Sequence, residues 1–238
     1  MAPKVLIVLT SSDRNPVSGN DTGWFLPKFA HPWDVLQSKV YFVVASPKGG
    51  VAPLSPQSVE MYKDDPSSAR FLKEQSALWE NTVKLSDVLS RVDEFDAIFY
   101  PGGHGPMFDL YFDPESIALI ENFAVAKKPI ASVCHGPAVL VEPTLPSGEP
   151  LISSATVTGF SNVEEDALGA SGMVPFLLED ALDKLSGGRY VKAEETLGEK
   201  VVVSEVKGLG GVLITGQSPA SAKGVGEALA KALGLAWV

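Results

Sequence analysis

The chain predicts an α/β fold on a mainly parallel sheet. Three observations carry this: short apolar, β-branched runs alternate with stretches at helical spacing, glycine-bracketed loops follow two of those runs, and no repeat or interdomain linker interrupts the pattern. At 238 residues the chain fits one large domain, or a core with insertions.

Residues 5–9 (Val-Leu-Ile-Val-Leu) read as the first strand, too short for a signal-peptide core or a membrane span. Residues 24–36 place Phe25, Phe29, Val35 and Leu36 at helical spacing, with Pro27 tolerated only in a first turn. Residues 40–45 form the second strand, closed by Ser-Pro-Lys-Gly-Gly. Residues 51–85 suggest a hairpin-like excursion and a helix over 69–78, and 85–92 a further helix. The strand 97–100 runs into Pro101-Gly-Gly-His-Gly-Pro106, and a helix follows over 114–126. Residues 130–133 form the strand that delivers Cys134. After a surface turn at 143–150, a strand is expected at 156–158 and an amphipathic helix at 174–185. Late strands at 201–203 and 212–215 precede an Ala-rich helix at 220–233. Open parallel sheets place ligands beyond the carboxyl ends of their strands. Both the Gly-Gly-His-Gly loop and the Cys-His turn fall at such ends.

The formal net charge of −10, with no basic run, argues against nucleic acid or an anionic membrane as partner. A single cysteine excludes an internal disulfide and points to a reducing, cytoplasmic setting. Residues 236–238 match no address tag.

In Pro129-Ile-Ala-Ser-Val-Cys-His-Gly-Pro137 an apolar run breaks into a turn, as at a nucleophile elbow. Cys134 is either a buried core thiol or a reactive one, and the Cys-His-Gly-Pro ending favours the second. A helix starting behind it would lower the thiol pKa. Two of the three histidines, His104 and His135, lie in these glycine-bracketed loops. His135 reaches the thiol only if the turn brings its imidazole round, and His104 is equally readable as a turn residue. His31 reads as a helix-end residue with a structural hydrogen bond. The histidine and cysteine spacings match no compact metal-ligand pattern, so no metal is expected. The loop at Gly103 is poor as a phosphate cradle and better as an oxyanion hole, its amide acting with that of His135. Glu164, Glu165 and Asp166 form a charge run that reads as a solvated helix start unless geometry promotes one.

The chain resembles the PfpI-type branch of the class I glutamine-amidotransferase-like superfamily, and within it the fungal heat-shock chaperone and glutathione-independent glyoxalase III group. The likeness rests on Met1-Ala-Pro-Lys-Val-Leu6, Thr22-Gly23, Ala30-His-Pro32, Gly103-His-Gly105, Val133-Cys-His-Gly-Pro137, Thr158-Gly-Phe-Ser-Asn-Val-Glu-Glu165, Val174-Pro-Phe-Leu-Leu-Glu-Asp180 and Leu213-Ile-Thr-Gly-Gln-Ser-Pro-Ala-Ser221, in that order. It implies a flavodoxin-like three-layer sandwich with helices on both faces, a single domain over 1–238 with small insertions at about 51–85 and 143–175, and a homodimer. It also implies a triad of Cys134, His135 and Glu165, and conversion of methylglyoxal to D-lactate through an enediolate. No metal, nucleotide or flavin cofactor is expected. Glutamine hydrolysis is not, because no histidine follows His135.

One position departs from the group. Where it typically carries a glutamate three residues before the His-Pro pair, this chain has Lys28, and no Glu occurs over 11–39. A lysine beside Cys134 would favour the thiolate and hold an anionic group, but serves as a base only with a depressed pKa. Lys28 pointing to solvent would leave catalysis weak. Three readings follow: a glyoxalase III-like enzyme acting on a small carbonyl compound with an altered proton transfer, a diverged biosynthetic enzyme acting on a larger or anionic metabolite, and a stress chaperone or redox-responsive protein without turnover. Trp24, Phe25, Phe29, Trp33 and Phe160 are candidates to line the pocket or to fill the core.

Overall fold

In a computed structural model, which describes residues 2–235, seven strands form one sheet in the order β3-β2-β1-β4-β5-β7-β6. They are β1 (Lys4–Val8), β2 (Tyr41–Ser46), β3 (Val83–Lys84), β4 (Ala97–Tyr100), β5 (Ile130–Val133), β6 (Val201–Glu205) and β7 (Val212–Gly216). Every pairing is parallel except that of β6 with β7. The central strands are the continuous apolar runs, as a sheet covered on both faces requires; all four residues of β4 and of β5 are buried.

The helices are α1 (Pro27–Leu36), α2 (Pro56–Met61), α3 (Pro66–Glu74), α4 (Ala77–Glu80), α5 (Leu85–Leu89), α6 (Pro114–Val125), α7 (Asn162–Ala167), α8 (Leu178–Ser186) and α9 (Ala222–Ala232). Helix α1 packs on α9 and α3, while α5 packs on α6. A Cβ at Gly226 would sit 2.8 Å from the Pro32 Cα, so glycine there lets α9 close on α1. An aromatic cluster of Trp24, Phe29, Trp33, Phe71 and Trp79 fills the space between α1, α3 and α4. That assigns Trp24, Phe29 and Trp33 to the core.

Several elements differ from expectation. Pro27 is the first residue of α1, so the helix starts three residues later than the apolar spacing suggests. Residues 51–85 contain no hairpin: three short helices, α2 to α4, lead into the two-residue edge strand β3. Each of α2 and α3 opens on a proline, and Asp65 caps α3 by accepting from the Ser68 amide, so local stop and start signals override the longer periodicity. The strand expected at 156–158 is only an isolated bridge between Val157 and Tyr190. The helix expected at 174–185 begins at Leu178, and that expected at 85–92 ends at Leu89. Among the described residues no helix is long and apolar enough to cross a membrane. Residues 236–238 and Met1 lie outside the described residues.

Candidate active site

Strands β1, β4 and β5 run parallel and end on one edge of the sheet, where the chain turns at Thr10, Gly102 and Cys134. Cys134 has φ of 65°, the left-handed conformation that costs a non-glycine residue energy and persists only where its surroundings hold it. Here the Cys134 N–H donates to the Gly216 carbonyl at 2.8 Å, and the Cys134 carbonyl accepts from the Phe160 N–H at 2.9 Å. The elbow is thereby clamped between β7 and the 158–161 segment. Gly102 faces it across a very close gap. A Cβ there would lie 2.3 Å from the Val133 carbonyl oxygen and 2.9 Å from the His135 nitrogen. The Gly102 carbonyl in turn accepts from the Phe25 N–H at 2.8 Å, tying the loop to the start of α1.

The turn does bring His135 round. Its Nδ1 lies 3.5 Å from the Cys134 Sγ, and its Nε2 lies 2.6 Å from Glu165 Oε2. The second Glu165 oxygen lies 2.8 Å from His104 Nε2. Glu165 arrives on α7, whose start is a capping box: the Ser161 hydroxyl accepts from the Glu164 N–H, and the Glu164 side chain accepts from the Ser161 N–H. Glu164 is itself buried and accepts from the Leu197 N–H and the Gln217 amide, so it anchors the helix rather than facing the thiol. Geometry promotes Glu165 and gives Glu164 the structural part.

Lys28 does not point to solvent. It is buried at 3 % exposure, and its ammonium stands 4.0 Å from the centroid of the Phe25 ring and within hydrogen-bonding reach of the Cys134 thiol. Among the described residues no carboxylate pairs with it. Pro32, one helical turn on, has no N–H to donate to the Lys28 carbonyl. Asp34 lies away from the site and pairs with Arg70 at the surface. His31 sits in the middle of α1 rather than at its end, and its Nε2 meets Asp65 Oδ2 at 2.8 Å.

The charge states follow from burial. Burial pushes the Cys134 thiol up to about 11, against the pull of Lys28, which acts both as a charge and as a hydrogen-bond donor. The fall expected from a following helix does not occur, because only a 3-10 turn, Gly136–Leu140, follows the elbow. Burial, with His104 beside it, pushes His135 down to about 3 in spite of Glu165. Burial alone would raise the Glu165 carboxyl, but hydrogen bonds from His104 and His135 hold it well below the usual carboxylate range. A carboxylate only accepts, so the His135 proton sits on Nε2 and the Nδ1 lone pair faces the thiol. The resting pair is a thiol and a neutral imidazole placed to take its proton.

These groups open into a cavity of about 260 Å³. Gly103, His104, Cys134 and His135 line its floor, with Lys28 and Phe25 on one side and Phe160, Leu168 and Leu197 on the other. Ser55, Gln57, Met61 and Tyr62 complete the wall. The last four come from the stretch misread as a hairpin, and no motif in the sequence marks them. Ligand atoms of His104, His135 and Glu165 lie within 4.8 Å of one another, a donor set that a divalent cation could take only by displacing the two hydrogen bonds to the carboxylate. Sequence spacing missed this set because its members come from three separate loops.

A model of the DJ-1/PfpI family matches residues 29–231. The chain is similar to Glyoxalase 3 of Candida albicans, with 29% identity over 229 residues, 92% of this chain and 93% of that protein. It is also similar in structure to Rapid Encystment Protein 24 KDa of Francisella tularensis, with a TM-score of 0.85 and 31% identity, covering 97% of this chain and 99% of that one. The crystal structure of glyoxalase III from Candida albicans gives a TM-score of 0.78 at 26% identity over 97% of each chain.

Proposed function

This chain belongs to the DJ-1/PfpI family, and from that premise we propose that it is a cysteine-dependent enzyme acting on a small 2-oxoaldehyde, of the glyoxalase III type, with its proton transfer rebuilt around Lys28. The observation that carries this is the continuous chain Lys28–Cys134–His135–Glu165 at the floor of one cavity. The thiol adds to the aldehyde carbon: the S–C bond forms, the carbonyl π pair moves to oxygen, and the thiol proton passes through His135 Nδ1 to that oxygen. His135 then removes the C1 proton and returns it to C2, so the adjacent ketone becomes an alcohol and C1 a thioester. Water cleaves the C–S bond, giving a 2-hydroxy acid and the free thiol. Backbone amides at Gly103 and His135, with the Lys28 ammonium, stabilise the oxyanion and the enediolate. Lys28 replaces an acid/base group by a cation, so proton transfer falls to His135 alone.

Incubation with methylglyoxal and chiral assay of the product tests this. D-lactate formation that disappears in Cys134→Ala is expected; absence of turnover identical in both proteins would overturn it. The cavity favours a second reading of the same site. At about 260 Å³ it approaches the roughly 300–1,000 Å³ of small-molecule sites, and its walls at Phe25, Phe160, Leu168 and Leu197 are apolar. Both point to a carbonyl substrate larger than a triose.

A further inference from the structure

The Lys28 ammonium is a buried cation without a carboxylate partner, at the floor of a ligand-sized cavity. The interior tolerates such a charge only when an opposite charge or strong acceptors meet it. Its contacts are a thiol that is protonated in the resting site and the face of Phe25. Neither supplies a full negative charge. The other acidic group on the cavity floor, Glu165, is engaged on both oxygens by His104 and His135. A ligand anion is the missing counter-charge.

We propose that the site binds carboxylates bearing a carbonyl on the adjacent carbon, the carboxylate resting on Lys28 while Cys134 adds to the carbonyl. The inference rests on carbonyl addition by Cys134. The distance argument is chemical: an ammonium in reach of the sulfur is also in reach of a group one bond beyond the carbon that the sulfur attacks. Glyoxylate is the simplest such ligand. Its addition forms one S–C bond, moves the carbonyl π pair to oxygen, and delivers the thiol proton to that oxygen through His135. Nothing leaves, and the hemithioacetal forms reversibly. No ketone adjoins the attacked carbon, so glyoxylate is held rather than converted. A glutamate at position 28 would repel the same ligand.

The test is protection of Cys134 from iodoacetamide. The chain has one cysteine, so loss of total thiol reports this residue alone. Glyoxylate is compared with its neutral methyl ester, each normalised to its adduct with 2-mercaptoethanol to remove intrinsic electrophilicity. Glyoxylate is expected to protect at about tenfold lower concentration than the ester, as a desolvated ion pair requires. The preference should vanish in Lys28→Met and persist in Lys28→Arg. Equal protection by both compounds in the wild-type protein overturns the anion inference and leaves carbonyl addition standing; that comparison needs no variant to fold. Protection by neither, together with no turnover of methylglyoxal, overturns both. Glyoxylate preference that survives in a natively folded Lys28→Met also overturns the assignment to Lys28.

Discussion

Replacing Lys28 by Met isolates what the buried ammonium does for the nucleophile. In the wild-type protein burial raises the Cys134 thiol to about 11 while Lys28 opposes that rise through its charge and a hydrogen bond. A hydrogen bond involving a charged group contributes about 1.5–3 kcal/mol, and about 1.4 kcal/mol corresponds to one pKa unit. Its loss therefore raises the thiol by about one to two further units, and the thiolate fraction near pH 8 falls about ten- to a hundredfold. The more basic thiolate is also the better nucleophile, with a Brønsted slope of about 0.4–0.5. This recovers roughly half of the logarithm, leaving a net slowing of about three- to tenfold. The assay is the pseudo-first-order rate of iodoacetamide alkylation, read by loss of the single thiol, with circular dichroism to establish native fold. Lys28→Arg should stay within a few-fold of wild type, because it keeps the cation. A folded Lys28→Met protein alkylated as fast as wild type, or faster, would refute the coupling of Lys28 to Cys134.

Lys28→Glu should raise D-lactate formation from methylglyoxal if a carboxylate beside the thiol is all that limits proton transfer; unchanged turnover would assign the limit to the cavity wall instead. In Glu165→Gln, the amide accepts on one side only and no longer balances two imidazoles, so turnover is expected to fall by about 10²- to 10⁴-fold with little change in circular dichroism. Gly102→Ala puts a Cβ 2.3 Å from the Val133 carbonyl, a backbone atom that cannot swing away. It should destabilise the protein by about 1–3 kcal/mol, lowering Tm by roughly 2–4 °C per kcal/mol. Stability should also depend on pH at both extremes. His135 is depressed from 6.5 to about 3 and Glu165 is depressed as well, so their contributions are present above the unfolded values and lost as pH falls; for His135 the window runs from 6.5 to about 3. Cys134 is raised from 9.0 to about 11, so its contribution is present below pH 9 and lost as pH rises through about 11. Thermal melts across pH measure both, and the acid limb should shrink in Glu165→Gln.

The elements read correctly from sequence are those whose signal is local. The buried strands β1, β4 and β5 are apolar runs closed by turn residues, and these same runs place the Gly-Gly-His-Gly loop and Cys134 at one edge of the sheet. Residues 51–85 were illegible because their apolar spacing spans three short helices, whose ends are set by Pro56, Pro66 and the Asp65 cap rather than by period. The strand expected at 156–158 fails for a different reason. Thr158 donates its N–H to the Thr215 hydroxyl, and only Val157 pairs through its backbone, with the 189–191 segment, so the stretch spaces the elbow instead of extending the sheet.

The sequence alone determined that Cys134 stands on a tight turn, because Val-Cys-His-Gly-Pro encodes the turn within a few residues. It also established that position 28 is a lysine. It could not determine that this lysine is buried against the thiol, nor that the thiol is thereby pulled down while burial raises it. Desolvation and charge are properties of everything that surrounds a group, and here the surroundings come from β5, α1, α7 and the 101–105 loop at once. Only the tertiary structure brings them together.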